Sequence, residues 1–266
     1  MKNLSIIIPT RNRQEFLKDV LEPFRGFGDE LEIIVIDDAS SEAEASSNES
    51  ICRTIPNCKY VYLPKSTGAA AARNYGLDIS SAGYIWFIDD DDIVSTQAIK
   101  DVLELVGSQS FFSQVILLPM TVMSNNYIIK NIVPSKDRNT FAKYRDIGHQ
   151  VATSAAVFPK TLLLEIGGWD AALLTGQDTD LFLRVSHRTE NFKCLQTEPV
   201  IQNIGHSKRL TRAVIKQEIG KIQFLMKHWR ILSIRRRVYY LFTFIIVAPL
   251  LNEPNLYRLR VKLLSR

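Results

Sequence analysis

Residues 4–38 read LSIIIPTRNRQEFLKDVLEPFRGFGDELEIIVIDD. The stretch opens with a short apolar run, continues into a longer amphipathic segment, and returns to a second apolar run that ends in aspartates. This pattern predicts a strand, a helix and a second strand. Because both apolar runs are continuous rather than alternating, we expect a parallel sheet that helices cover on both faces.

The alternation continues to about residue 120, through KYVYL, AAAARNYGLDI and YIWFID. Strands that alternate with helices are typical of an α/β fold with crossover connections. Farther along, SQVILLPMTVM and YIIKNIVP predict strands, and residues 135–150 predict a polar loop or lid. The segment TSAAVFPKTLLLEIGGWD predicts a strand, a helix and a Gly-Gly turn. We therefore expect one compact domain with a C-terminal extension.

Polar residues follow the predicted strands, where ligands bind in open α/β sheets. They are Pro9, Thr10 and Arg11 after the first strand, Asp37 and Asp38 after the second, and the run Asp89 to Asp92 after YIWFI. Two carboxylates about 4 Å apart repel by about 4 kcal/mol at an effective dielectric constant of 20. A bound cation relieves that repulsion, and oxygen ligands suit Mg²⁺ or Mn²⁺.

The orientation of the four aspartates follows if extended backbone continues beyond the strand. Asp89 and Asp91 then point to one side, and Asp90 and Asp92 to the other. One pair would face a metal and a nucleotide, while the other caps the next helix. The alternative is a solvated turn whose last aspartate caps that helix. The second acidic pair, at Asp37 and Asp38, favours the metal-assisted site.

Whole-chain composition indicates an ordinary globular protein, with 266 residues of which 46% are hydrophobic. The three cysteines have no CxxC spacing, so neither a zinc site nor a disulfide framework is indicated. The N-terminus, MKNLSIIIPTRNR, lacks the pattern of a signal peptide. We therefore expect a cytoplasmic protein.

The C-terminal tail, residues 208–266, is strongly basic, with a net charge of +12 against −7 for the rest of the chain. Its apolar run VYYLFTFIIVAPLL has 14 residues, whereas a spanning helix needs about 20. Flanking cations indicate an anchor on the anionic inner face of the plasma membrane. The alternative is a helix that packs on the rest of the protein with a solvated basic face. No nucleic-acid-binding motif accompanies the charge, so we expect no nucleic-acid partner.

Five segments together resemble the inverting GT-A-fold glycosyltransferases of family 2. They are SIIIPTRNR, LEIIVIDDASS, GAAAARNYGLDISSAGYIWFIDDDD, AAVFPKTLLLEIGGWD and GQDTDLFLRV, in the family's order between about residues 3 and 190. The resemblance implies a Rossmann-like, mixed but mainly parallel α/β sheet flanked by helices. Residues 1–207 would form the GT-A domain, with a nucleotide-sugar half at about 1–120 and an acceptor half at about 121–207. Residues 208–266 would form a basic helical extension.

The resemblance also implies residue roles at the donor site. Asp91 matches the aspartate of the family's DxD motif that holds Mn²⁺ or Mg²⁺, while Asp89 and Asp90 would contact the metal, the ribose or the sugar. Because four aspartates are adjacent, the register of the motif stays open. The other matched residues are Asp38 at the nucleotide base, the segment Pro9, Thr10 and Arg11 beside it, Arg73 near the diphosphate, and His206 near the metal and diphosphate.

The match GQDTDLFLR implies that Asp178 is the general base, although Gln177 replaces the family's usual glutamate. Asp180 is interpreted as a supporting or helix-capping residue. The implied reaction is inverting transfer from a nucleotide sugar, by family habit a UDP-sugar, to a saccharide or lipid-linked acceptor in bacterial O-antigen or capsule synthesis. A metal-dependent nucleotidyl- or phosphotransferase and a non-catalytic membrane-associated binding module are the alternatives.

Overall fold

The computed structural model describes residues 2–108, 113–125, 127–135, 151–204 and 210–250. The strands are β1 Leu4–Thr10, β2 Leu31–Asp37, β3 Cys58–Tyr62, β4 Tyr84–Phe87, β5 Asp92–Ile93, β6 Val115–Leu117, β7 Met120–Ser124, β8 Tyr127–Ile132, β9 Ala156–Pro159, β10 Phe192–Cys194 and β11 Val200–Asn203. The α-helices are α1 Gln14–Leu21, α2 Glu42–Arg53, α3 Ala69–Ile79, α4 Thr96–Gly107, α5 Lys160–Glu165, α6 Gln177–Arg188, α7 Leu210–His228 and α8 Ile234–Leu250.

A seven-stranded sheet in the order β10-β6-β9-β4-β1-β2-β3 forms the centre of the fold. Its neighbouring strands pair in parallel, except that β9 runs antiparallel to both β4 and β6. Strand β1, in the interior of this sheet between β4 and β2, is buried along its whole length. Its register sets Thr10 opposite Asp37, so the polar ends of β1 and β2 meet at one edge. The predicted mixed, mainly parallel α/β sheet is confirmed.

A smaller sheet, ordered β5-β11-β7-β8, lies beyond the aspartate run. Its short strand β5 begins at Asp92 and pairs antiparallel with β11. The segment SQVILLPMTVM, predicted as a strand, divides at Leu118 and Pro119 into β6 and β7, which belong to different sheets. A proline lacks the backbone N–H that a continuous central strand needs. The predicted strand YIIKNIVP is confirmed as β8, and most of the predicted lid at 135–150 lies outside the described residues.

Aromatic side chains join the sheet to the helix that follows the Gly-Gly turn. Phe158 of β9 packs against Phe182 of α6, with 5.6 Å between the ring centroids. Phe87 at the end of β4 meets Trp169 edge-on at 5.3 Å. The predicted turn at Gly167 and Gly168 is confirmed, and both residues have positive φ angles. Helix α6 and the turn are therefore fixed against the carboxyl edge of the large sheet.

The second half of α7 and the turn after it, residues 220–232, pack on the body of the protein. Buried Phe224, Leu225 and Leu232 form an apolar cluster with Leu183 of α6. The alternative of a tail helix that packs on the catalytic domain therefore holds for this segment. Residues 205–209 lie outside the described ranges, so the domain boundary at 207 stays a prediction. No helix within those ranges is both long and apolar enough to cross a membrane.

Helix α3 approaches β1 closely at Gly76. A Cβ atom added there would lie 2.5 Å from Cγ2 of the fully buried Ile7. We expect Gly76→Ala to lower the free energy of unfolding by about 1–3 kcal/mol, because the core must shift to admit the methyl group. Urea denaturation would measure the change, with Gly83→Ala as control, since no atom lies within 4 Å of a Cβ at that exposed position. Equal stability of the two variants would contradict close packing at Gly76.

Candidate active site

A cleft of about 460 Å³ opens where the carboxyl ends of β1, β2 and β4 meet. The lining residues are Pro9, Thr10, Arg11, Arg13, Asp38, Ser66, Gly68, Ala69, Arg73, Asp89, Asp90 and Asp91. The cleft thus brings together Pro9, Thr10, Arg11, Asp38, Arg73 and Asp89 to Asp91, which the sequence assigned to the donor and the metal. Among the described residues, Asp178 does not belong to this lining, and His206 lies outside the described residues.

The aspartate run forms a tight turn, in which the backbone N–H of Asp92 donates to the carbonyl of Asp89 at 3.1 Å. The expected alternation of side chains is therefore wrong, because it required extended backbone. Neighbouring Asp90 and Asp91 both accept from Nη1 of Arg13, at 3.0 and 2.9 Å. The expected aspartate cap is also wrong, since Ser95 caps α4 by accepting from the N–H of Ala98.

Asp90 lies inside the cleft wall. Its carboxylate accepts from the hydroxyl of Thr10 at 2.8 Å and from Arg13. Burial raises the pKa of Asp90 to about 6, against the lowering effect of Thr10 and Arg13. Arg13 was not among the predicted site residues. Its position three residues beyond β1, at the edge where the aspartates lie, was the signal in the sequence.

Asp92 is the most deeply buried member of the run. Burial, together with the carboxylate of Asp89, raises its pKa well above the usual range and outweighs a hydrogen bond with Ser154. This favours the neutral, protonated form of Asp92. The repulsion expected of four adjacent aspartates is thereby reduced, because Asp92 is shifted towards the uncharged form and Asp90 and Asp91 share the guanidinium of Arg13.

Arg73 forms an ion pair with Asp89 and is only 6% exposed. Its guanidinium lies over the ring of Trp169, 4.4 Å from the centroid, in a cation–π contact. Burial opposes the charge of Arg73, but Asp89 and Asp178 outweigh it and raise the pKa of the guanidinium. Arg73 therefore stays charged at the floor of the cleft, within electrostatic reach of Asp178.

Asp38 holds the loop before α3. Its carboxylate accepts from the N–H groups of Thr67 and Gly68 and from the hydroxyls of Ser66 and Thr67, at 2.6 to 3.0 Å. These bonds lower the pKa of Asp38 despite its burial. Arg11 donates to Ser66 and so braces the same loop. The loop was not predicted as part of the site, although a glycine directly before a helix was a signal for it.

Asp37, the other member of its pair, has a structural role. It is fully buried and accepts from the backbone N–H of Ser40, the amide of Asn48 and the hydroxyl of Tyr60. These contacts fasten the end of β2 to α2 and β3. Only Asp38 of the acidic pair therefore reaches the cleft.

Asp89 and Asp91 fit a divalent cation by the chemistry of their donors. Both line the cleft, and their side chains are 33% and 21% exposed, so carboxylate oxygens reach its interior. Mg²⁺ and Mn²⁺ commonly bind through one or two carboxylates, with phosphate oxygens completing the shell. In the described part of the chain, no cluster of three or more His, Cys, Asp or Glu side chains is arranged to hold a metal ion.

Helix α6 carries Asp178 in its first turn. The helix starts after Gly176, whose φ of 75° is left-handed, and Gln177 donates to the carbonyl of Leu173 at 2.7 Å. Gln177 thus fastens the helix start to the preceding loop. A helix N-terminus favours negative charge, so the first turn of α6 suits a carboxylate at Asp178.

Asp180, two residues later, is fully buried and accepts from Arg184, Lys227 and His228. The interpretation of Asp180 as a supporting residue agrees with these contacts. Lys227 and His228 were not predicted, because they lie 47 and 48 residues away along the chain and no local pattern connects them to α6.

Residues 5–160 match the family model described as Glycosyl transferase family 2. The chain belongs to glycosyltransferase family 2. The fold of this glycosyltransferase is similar to that of S. aureus TarS in complex with UDP-GlcNAc, with a TM-score of 0.64, 16% identity, and coverage of 87% of this chain and 74% of that one. A mannosyltransferase from Pyrobaculum calidifontis in complex with GDP-Man and Mn²⁺ gives a TM-score of 0.59 at 18% identity, covering 86% and 64% of the two chains. The predicted GT-A fold is confirmed.

Curated relatives of this family 2 enzyme include the putative colanic acid biosynthesis glycosyl transferase WcaA of Escherichia coli. The two are 27% identical over all of this chain and 95% of that protein. The minor teichoic acid biosynthesis protein GgaA of Bacillus subtilis is 35% identical, over 38% of this chain and 24% of its own length. A Campylobacter jejuni GalNAc(5)-diNAcBac-PP-undecaprenol beta-1,3-glucosyltransferase is 34% identical, over 39% and 34%. Family membership favours glycosyl transfer over the nucleotidyl- or phosphotransferase alternative.

Proposed function

We propose that this glycosyltransferase transfers a sugar, with inversion, from a UDP-sugar to a lipid-diphosphate-linked saccharide during bacterial surface polysaccharide synthesis. The observation that carries the proposal is the meeting of Asp38, Arg73 and Asp89 to Asp91 in one cleft, with the first turn of α6 within electrostatic reach. The WcaA, GgaA and Campylobacter relatives support the substrate class by their names.

The donor occupies the cleft with its nucleotide against the loop at residues 66–68 and the segment Pro9 to Arg11. Asp38 already accepts four hydrogen bonds from that loop and so fixes the side of the cleft where the nucleotide lies. To contact the base, Asp38 gives up one of these hydrogen bonds and accepts one from the base instead. The diphosphate lies towards Arg73 and the aspartate run. There, Arg73 supplies a fixed positive charge whose orientation Asp89 and Trp169 determine.

Asp89 and Asp91 would hold the Mn²⁺ or Mg²⁺, with Asp91 as the principal ligand, and the family resemblance adds His206 as a further candidate. When bound, the cation neutralises the charge that develops on the departing nucleoside diphosphate. The carboxylates of Asp89 and Asp91 are held in place in the cleft, because Arg73 contacts Asp89 and Arg13 contacts Asp91.

Asp178 acts as the general base. Its carboxylate takes the proton from the acceptor hydroxyl as that oxygen forms a bond to the anomeric carbon, while the bond from that carbon to the diphosphate breaks on the opposite face. This single displacement inverts the anomeric configuration. The requirement is a carboxylate within hydrogen-bond reach of the hydroxyl, and the N-terminus of α6 favours negative charge at that position.

The exposed face of α8 supports a membrane-bound acceptor. Ile234, Val238 and Phe242 are 77%, 58% and 61% exposed, and three consecutive arginines follow the first of them, at 235–237. Apolar side chains next to cations are typical of helices that bind an anionic lipid surface. We propose a cytoplasmic enzyme that associates peripherally with the inner face of the plasma membrane, where lipid-linked saccharides are elongated.

Asp178→Asn is expected to lose transfer by at least about 100-fold while retaining donor affinity, because the amide cannot accept the proton. Transfer from radiolabelled UDP-sugar to an undecaprenyl-diphosphate saccharide would measure the rate, and calorimetry with UDP would measure binding. Asp78→Asn, an exposed aspartate on α3, is the matched control. Normal turnover by Asp178→Asn would refute its role as the base.

Asp91→Ala is expected to weaken Mn²⁺-dependent binding of UDP by about tenfold or more, since a carboxylate ligand of the cation is removed. Isothermal titration calorimetry with UDP and with GDP, each with and without Mn²⁺, would measure the effect, and we expect UDP to bind more tightly. Asp29→Ala, at an exposed site away from the cleft, should match the unmodified protein. Mn²⁺-independent UDP binding by the unmodified protein would contradict the metal assignment.

Replacing Ile234, Val238 and Phe242 together by serine should reduce vesicle binding about tenfold or more, because three exposed apolar side chains no longer enter the lipid. Flotation with phosphatidylcholine vesicles, with and without phosphatidylglycerol, would measure it. The double variant Ile128→Ser/Ile129→Ser removes equally exposed apolar side chains from β8 and serves as control. Equal binding by both variants would exclude α8 as the membrane contact.

A further inference from the structure

A buried ion cluster joins α6 to α7. Nζ of Lys227 and Nε2 of His228 both lie 2.6 Å from Oδ1 of Asp180, and Nε of Arg184 lies 2.9 Å from Oδ2. Although burial alone would raise the pKa of Asp180, the hydrogen bonds from His228, Arg184 and Lys227 lower it well below the usual range. Asp180 is therefore a fully buried, ionised group. Its charge is stabilised by Arg184 of α6 and by Lys227 and His228 of α7.

The same cations also hold the turn that carries Trp169. Lys227 contacts Oδ2 of Asp170 at 2.6 Å, and Arg184 donates to the carbonyl of Ile166 at 2.8 Å. Trp169 lies between these two contacts in sequence and packs against the guanidinium of Arg73. The cluster thus connects three elements: α6, the Gly-Gly turn and α7.

Residues of α7 also fix the loop from which α6 starts. Gln223 accepts from the N–H of Leu174 at 2.9 Å and donates to the carbonyl of Ala172 at 3.2 Å. Gly220 lies so close to Thr175 that an added Cβ would collide with its side chain and backbone. The first turn of α6, with Asp178 in it, is therefore held from the loop before it and from Asp180 after it.

We propose that Asp180 is a positioning residue, through which docking of residues 220–232 fixes the helical turn that carries Asp178. The inference rests on the proposed role of Asp178 as general base. Asp180 and Asp178 lie in the same turn, so a rotation that brings one to the cluster also sets the direction of the other. The basic tail thereby becomes part of the acceptor side of the active site rather than an attachment to it.

The main test is the full-length Asp180→Asn variant. We expect kcat to fall about 100-fold, the usual effect of a small misplacement of a catalytic group. The donor KM and the calorimetric affinity for UDP should stay unchanged, because Lys227 and Arg184 keep their contacts with Asp170 and Ile166 and so keep Trp169 against Arg73. Glu165→Gln is the matched control, and its kcat should be normal. This change removes an exposed ion pair between Glu165 of α5 and Arg188, which lies at the C-terminal end of α6, away from Asp178.

A double-mutant cycle separates positioning from a general structural effect. If Asp180 acts through Asp178, adding Asp180→Asn to Asp178→Asn should cause no further loss of residual transfer. A similar additional loss in that background would overturn the proposal, as would a normal kcat in folded Asp180→Asn. Normal transfer by Asp178→Asn itself would refute the assignment of Asp178 as the base. That result is distinct from one in which Asp178 is the base but Asp180 does not position it.

Lys227→Met provides a second route if Asp180→Asn does not fold. Lys227 is a third exposed, and the variant leaves Arg184 and His228 on Asp180. We expect kcat to fall about tenfold with an unchanged circular dichroism spectrum. Donor affinity should stay unchanged, because Arg184 still holds the turn before Trp169 at the carbonyl of Ile166. A normal kcat in this folded variant would overturn the proposal.

Discussion

Negative charge collects at the carboxyl edge of an apolar sheet, and the rest of the site depends on how that charge is held. The chain neutralises it with two arginines of different kinds. Arg13 comes from the loop after β1 and bridges Asp90 and Asp91, whereas Arg73 comes from the buried side of α3 and meets Asp89. Desolvation shifts Asp92 towards its neutral form. The turn therefore remains folded while carboxylates still face the cleft.

In the proposed mechanism, two parts of the fold support the donor and the acceptor separately. The donor cleft lies on β1, β2 and β4 with the helix α3 behind it, all within the first half of the chain. The first turn of α6 belongs to a second support, held by the Gly-Gly turn and α7. Trp169 and Arg73 connect the two supports through one stacked contact.

Helices, strands and the polar residues at strand ends were predictable from the sequence, because each depends on the pattern of neighbouring residues. The segment AAAARNYGLDI is helix α3 residue for residue, and the cleft brings together Pro9, Asp38 and the aspartate run. Side-chain direction in the run was not predictable, since a turn replaced the extended backbone. Contacts between distant segments, such as Lys227 and His228 with Asp180, leave no local signal at all. The division at Pro119 had a signal, the missing N–H, that the apolar run obscured.

The packing of Gly220 on Thr175 and of Phe224 on Leu183 has a consequence for how such enzymes diversify. The family match covers residues 5–160, yet the structural unit reaches into α7. A tail exchanged between relatives would be accepted only if it brought a small residue, an apolar pair and a cation in the same register. Helices α6 and α7 therefore form one packed unit, which extends beyond the residues that the family model matches.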